Sequence, residues 1–289
     1  MQNDIILKYR EFIKNFTELH NNARQLPIGD FCEVEVNPNP SYKVMTFAPH
    51  PDDECIIGAL PLRLINEHNA EVVNVAVTLG SNKDRKRGRL EELTNACKSL
   101  GFSLLVPEQM GLDGVYLKTK ENSPDEWLQK VDVIADIITT EKPDMVLFPH
   151  DNDFNSTHIG VHHLVTDALN QILAKDPDFK TSIIETEFWH MMEDPNLMIG
   201  LSEEDEALLV YALSAHTKEV ERNPYHLNHP ARMLDNVMRG AEVVGGQGGH
   251  APKMDFAMLY RHSTIVGGKI IPVTSKKVFG IEDNLKELL

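Results

Sequence analysis

Five short apolar runs alternate along this chain with longer stretches of helical periodicity, and no other feature constrains its fold as tightly. The runs fall at 43–48, 71–78 (Glu71-Val72-Val73-Asn74-Val75-Ala76-Val77-Thr78), 103–106, 144–148 and 183–189. Helical spacing fills the intervals at 56–68, 86–100, 124–141 and 158–174. Apolar strands joined by helices pair in parallel, because each crossover returns the chain to the same end of the sheet. Both faces of such a sheet must be covered, so the expected fold is an α/β three-layer sandwich. We expect a mostly parallel sheet of order 3-2-1-4-5. In that order the first and fourth strands are neighbours, and the crevice at their carboxyl ends is where ligands bind.

The most unusual local sequence ends the first strand of this Rossmann-like arrangement. Ala48-Pro49-His50-Pro51-Asp52-Asp53-Glu54 packs a histidine and adjacent carboxylates into the turn before a helix. Adjacent carboxylates repel, so local stability gives little reason for the crowding. Chemistry supplies one: a carboxylate can bind a metal beside the imidazole while its neighbour stays free as a base. A second polar segment follows the fourth strand, Pro149-His150-Asp151-Asn152-Asp153-Phe154-Asn155-Ser156-Thr157-His158-Ile159-Gly160-Val161-His162-His163. The expected topology brings the two segments together.

His50-Pro51-Asp52-Asp53-Glu54 resembles the signature of the PIG-L/LmbE-like zinc-dependent N-deacetylases, and the likeness runs from about residue 43 to about residue 190. These enzymes mostly remove acetyl groups from N-acetylglucosamine-type sugars and their conjugates. The resemblance implies a metal site of His50, Asp53 and His158, the last matching the family's third ligand. It implies Asp52 as the general base. Arg89-Leu90-Glu91-Glu92, followed by Leu100-Gly101, resembles the family's Arg-x-x-Glu and puts Arg89 against sugar hydroxyls or a substrate anion. One position departs from the pattern. Many members carry a further histidine three residues before the third ligand and an aspartate next to it; here Asn155 and Thr157 stand there. Asn155 can donate a hydrogen bond to an oxyanion but cannot deliver a proton. The proton for the leaving amine then comes from Asp52, or from His216 or His250 reaching in. His162, at i+4 from His158, either orients a ligand or packs in the helix.

The implied activity is hydrolysis of an N-acyl, chiefly N-acetyl, group from an amino sugar or its conjugate, with Zn²⁺ or another divalent ion such as Fe²⁺. Two other classes fit part of the pattern. Two histidines and a carboxylate also describe the facial triad of Fe(II) oxygenases, which leaves the second aspartate without a role. A non-hydrolytic carbohydrate-binding descendant would keep the metal cup without the chemistry.

The formal charge of −16, from 28 basic and 44 acidic residues, disfavours nucleic-acid and anionic-membrane partners. A small-molecule substrate is expected, and self-association into a homo-oligomer is left open. Three cysteines without C-x-x-C spacing fit a reducing compartment. Asp4 and Lys8 interrupt the apolar N-terminus, so a signal-peptide core is not expected and a cytoplasmic location is. Residues 1–42 read as an extension whose helix at 5–19 packs on the body, and residues 43–289 as one domain that becomes less regular after about 190. There Ser202-Glu203-Glu204-Asp205 opens a helix to about 220, a second runs over 230–243, and strands near 255–260 and 269–273 close the chain.

Overall fold

The computed structural model describes residues 2–29, 31–34, 36 and 39–289; Asn37 and Pro38 of the turn expected at 37–40 lie outside the described residues. The chain opens with helix α1 (Gln2–Ala23) and enters the sheet at β1 (Tyr42–Ala48). Helices α2 (Asp53–Ile56) and α3 (Ala59–His68) lead to β2 (Ala70–Ala76), and α4 (Lys86–Leu100) leads to β3 (Ser103–Leu105). A long crossover containing α5 (Leu117–Asn122) and α6 (Pro124–Glu141) reaches β4 (Met145–Pro149), and α7 (Ser156–Lys175) reaches β5 (Ser182–Thr186). The remainder comprises β6 (Leu197–Leu201), α8 (Glu203–Ser214), α9 (Thr217–Arg222), α10 (His229–Val243), β7 (Phe256–Val266), β8 (Lys269–Pro272) and β9 (Lys277–Phe279).

The sheet order is β3-β2-β1-β4-β5-β7-β6-β9, with β8 paired to β7. Its first five strands are parallel and stand in the expected 3-2-1-4-5 order. Beyond β5 the sheet turns mixed, because β7 runs antiparallel to both β5 and β6. Successive strand residues face opposite layers, as the pleat requires. Val44, Val72, Met145 and Ile184 join α3, α4 and α8 on one side. Met45, Val73, Val146 and Ile183 join α6 and α7 on the other.

Two expected helices are each broken in two, and each break serves packing. The helix expected over 56–68 divides at Ile57-Gly58 into α2 and α3. A Cβ on Gly58 would lie 2.5 Å from the Leu209 side chain, so glycine lets α8 press onto this junction. The helix expected from 202 to about 220 starts as foreseen, with Ser202 Oγ accepting from the Asp205 N–H at 3.0 Å. It stops at Ser214, and the non-helical backbone of His216 lets that ring turn inward to Glu54. Strands β6 and β9 are additions that the sequence did not announce, and the strand expected to 189 ends at Thr186.

Helix α1 corrects another expectation. It forms, but Ile5, Tyr9, Phe12, Phe16 and Leu19 remain 55–71% exposed instead of packing on the body. Other helices already cover both sheet faces, which leaves this stripe without an apolar partner. The segment after α1 is tied down by backbone bonds from Gly29 to Ser214 and from Val34 to Lys98. No helix of the described residues is long and apolar enough to cross a membrane.

The C-terminal segment is held by one buried cation. Arg63 on α3 donates to the carbonyls of Gly200, Gly280 and Asp283 at 3.1, 2.9 and 2.6 Å and to Glu67 at 2.5 Å. Removing it leaves the buried Gly200 carbonyl and the part-buried carbonyls of Gly280 and Asp283 without their donor at once. Arg63→Ala is therefore expected to cost on the order of 3 kcal/mol in a denaturant titration, with protease cleavage appearing first after β9.

Candidate functional site

Parallel pairing aligns Val44, Met45 and Thr46 of β1 with Met145, Val146 and Leu147 of β4, so the two polar segments leave the sheet side by side. His50, Asp53 and His158 meet there. His50 Nδ1 lies 3.2 Å from His158 Nε2 and 3.3 Å from Asp53 Oδ2, and His158 Nε2 lies 3.2 Å from the same carboxylate oxygen. The ligand atoms of a tetrahedral ion with metal–nitrogen bonds of 2.0–2.1 Å stand about 3.3–3.4 Å apart. The three side chains therefore present one face of a tetrahedron already assembled. Asp53 Oδ1 is buried and has no hydrogen-bond partner, as suits a carboxylate reserved for an ion. Two imidazoles and one carboxylate suit zinc or another borderline divalent metal.

Each ligand is positioned by local structure. The Asp53 carboxylate accepts the backbone N–H of His50 at 2.9 Å, closing the turn. Burial would raise its pKa, but His158 and His50 outweigh that and hold it well below the usual carboxylate range. His158 sits in the first turn of α7. There Asn155 is the cap, its Oδ1 accepting the Thr157 N–H at 2.8 Å. Asp153, which sequence reasoning passed over, organises this turn. One oxygen accepts the Asn155 N–H at 2.8 Å and stands 3.7 Å from His158 Nδ1, while the other accepts the Trp189 N–H at 3.0 Å. Gly160 brings α7 close: a Cβ there would lie 2.1 Å from the Val115 carbonyl oxygen.

Asp52 occupies left-handed backbone, with φ 112 and ψ −28, a conformation that costs a non-glycine residue energy and persists only when its surroundings impose it. Its N–H donates to Glu54 Oε2 at 2.9 Å. Its carboxylate Oδ2 accepts the Tyr225 hydroxyl at 2.6 Å and stands 3.9 Å from an Arg89 nitrogen. Burial, with the charge of Asp53 added, pushes Asp52 up to about 7, against the opposing pull of His216, Arg89 and Tyr225. Burial and the Asp52 charge drive Tyr225 far above the ordinary phenol range, so it remains a donor.

These groups line a cavity of about 410 Å³ whose wall includes His50, Asp52, Asp53, Arg89, Asn155 and Tyr225. Arg89 faces it but spends one donor on the Pro51 carbonyl at 2.9 Å, bracing the motif turn; Glu92 is taken by Arg85 and Thr217. His216 is fully buried and bonded to Glu54 at 2.7 Å, and His250 is exposed, so neither histidine lines the cavity. His162 turns to the Pro149 carbonyl and Glu185, at 3.0 and 3.2 Å, and packs the helix. His150 accepts the Asn152 N–H and its Nε2 lies 3.0 Å from the His190 carbonyl, supporting the loops behind the site. Cys55 is buried against Glu54 and stays outside the cavity wall. Tyr225, Trp189, Glu219, Arg222 and Asn223 join the wall from beyond residue 187, where no motif marked them. A larger cavity of about 600 Å³ between α8 and α10 contains none of the site residues.

Residues 45–169 match the family model described as PIG-L, GlcNAc-PI de-N-acetylase. That stretch of the chain is similar to a PIG-L domain. Solved structures share the chain's fold. The N,N'-diacetylchitobiose deacetylase of Pyrococcus horikoshii is 17% identical at a TM-score of 0.53, over 89% of this chain and 93% of that one. The 4-carboxy-2-hydroxymuconate hydratase GalB of Pseudomonas putida KT2440 is 15% identical at 0.56, over 76% and 95%. A zinc-inhibited form of the teicoplanin deacetylase Orf2 is 13% identical at 0.51, over 80% and 99%. Comparison with curated proteins gives no match. At these identities the likeness establishes the fold; a hydratase and deacetylases both adopt it, so chemistry has to be argued from the site.

The triangle of ligand atoms makes a direct prediction. His158→Ala removes a fully buried corner, and divalent-ion affinity measured by calorimetry should fall at least about a hundredfold in a variant whose circular dichroism shows that it still folds.

Proposed function

We propose that this protein is a zinc-dependent hydrolase that removes an N-acyl group, chiefly N-acetyl, from an amino sugar or its conjugate. One observation carries the reading: three converging ligand atoms stand beside a fourth group, Asp52, that is kept off the triangle and tuned near neutrality. The PIG-L match and the deacetylases among the structural relatives support it.

A divalent ion held by His50, Asp53 and His158 supplies Lewis-acid polarisation of the amide carbonyl and acidifies water. Asp52 then takes the proton of the attacking water, a task for which a base near pH 7 is well matched. Tyr225 and Arg89 both approach Oδ2, which leaves Oδ1 for that proton. The oxygen that becomes negative needs a donor. Asn155 spends its carbonyl oxygen on capping α7, so its amide nitrogen is free to serve. Neither His216 nor His250 faces the cavity, so Asp52 returns its proton to the departing amine. The polar wall of Ser81, Asn82, Arg85 and Asn223 suits sugar hydroxyls, and the half-exposed Trp189 offers a flat apolar face to a pyranose ring.

The deciding assay is acetate release from N-acetylglucosamine conjugates by protein loaded in turn with zinc and other divalent ions. Asp52→Asn keeps the shape and removes the base. It should retain metal affinity and lose about 10²–10⁴-fold in turnover; loss of the metal instead would make Asp52 a ligand. Tyr225→Phe deletes a hydrogen bond that favours ionised Asp52, so the carboxyl pKa rises and the base form appears only at higher pH. The acidic limb of the kcat/KM profile should shift upward in this variant, and an unmoved limb would separate Tyr225 from the base.

A further inference from the structure

A second cavity of about 360 Å³ adjoins the first and shares three wall residues with it, Trp189, Asn223 and Tyr225. Trp189 and Tyr225 stand edge to face at the boundary, their ring centroids 5.8 Å apart. The floor of this second cavity is apolar, formed by Ile56, Phe188, Met191 and Leu213, but one wall is the first turn of α10 with Asn228, His229 and Arg232.

The charge on that wall is unspent. Arg232 is partly buried and makes no ion pair or hydrogen bond among the described residues. The carboxylates nearest to it are engaged elsewhere: Glu187 is clasped by Arg239, and Asp153 holds the backbone of the α7 turn. Desolvation outweighs their pull and draws the Arg232 pKa below the ordinary arginine range, the mark of a guanidinium lacking a counter-charge. His229, one helical turn earlier, is 5% exposed. Its Nδ1 is bonded to Glu206 at 2.7 Å, while its Nε2 is buried and without a partner. A partly buried guanidinium without a counter-charge on this cavity wall, beside an imidazole whose buried Nε2 has no partner and in the first turn of a helix whose dipole favours negative charge, forms an anion site.

We propose that the second cavity binds an anionic group, a carboxylate or a phosphate, carried by the substrate beyond its amino-sugar ring, with Arg232 and His229 as its partners. This rests on the deacetylase reading for the word substrate, though not for the anion site itself. An anion at this wall meets the Arg232 charge, and the apolar floor receives the linker between sugar and anion.

The test uses the metal-loaded full chain and three alkyl glycosides of N-acetylglucosamine with linkers of equal length, ending in a methyl, a carboxylate or a phosphate group. The wild type should favour one or both anionic glycosides by tenfold or more in kcat/KM, and the better of the two identifies the anion. Arg232→Met should lower kcat/KM on the anionic glycoside at least tenfold more than on the neutral one, chiefly through KM. Arg232→Lys, which keeps the charge, should retain part of the preference. Equal rates on all three glycosides in the wild type, or an equal loss on all three in Arg232→Met, would overturn the proposal. If no glycoside is hydrolysed, the deacetylase reading fails, and calorimetry with inorganic phosphate judges the anion site alone. Binding that weakens tenfold or more in Arg232→Met upholds the site; no binding by the wild type, or equal binding by both, removes it.

Discussion

The parallel pairing of β1 with β4 is the constraint on which the rest of this molecule depends. Each strand ends in a polar turn that has no use by itself, and only their side-by-side exit brings His50 and His158 within 3.2 Å. The helices that cover the sheet serve the same end. Helix α7 begins where β4 stops and carries one imidazole into the cup, while α2 begins on Asp53 itself. The segments after β5 then close the cavity, with Tyr225 from the turn after α9 and Trp189 from the loop after β5.

The crowding of negative charge at 52–54 is resolved by giving each carboxylate a different company. Asp53 faces two imidazoles, Asp52 faces a phenol and a guanidinium, and Glu54 is buried against His216 and the thiol of Cys55. Asp52 and Asp53, adjacent in the chain, thus shift in opposite directions through burial and neighbours alone. The left-handed backbone at Asp52 belongs to this division, since its N–H points into Glu54 while its side chain reaches Tyr225.

Much of this was legible in the sequence, for identifiable reasons. The five parallel strands and helices α4, α6 and α7 carry uninterrupted periodicity, so their bounds were readable to within a few residues. The cup was legible because its members cluster in two short segments at strand ends. Beyond residue 190 the signal weakens: α10, β7, β8 and the start of α8 stand near where the sequence put them, but the rest does not. Strands β6 and β9 are short and apolar like any core fragment, and the break between α8 and α9 is imposed by a distant partner, Glu54. Tyr225 could not have been found, because a lone tyrosine in a Pro-containing turn has no pattern that announces a bond to residue 52. Arg232 escaped for a related reason: its interest lies in partners it lacks, which spacing cannot express. Helix α1 shows the converse, where a clear apolar stripe foretold the helix but not what its face would meet.

The sequence separation of 108 from His50 to His158 has a kinetic meaning. No local fragment contains the cup, so a nascent or partly folded chain offers an ion only scattered imidazoles and carboxylates. The triangle appears when a long loop has closed and the central strands have zipped in register, the step of folding that is slowest for non-local sheets. An ion captured there would bind the finished fold far better than the unfolded chain, so occupancy would add to stability by mass action. Loading would then act as a late checkpoint, locking in molecules whose central strands have paired correctly and passing over those that have slipped.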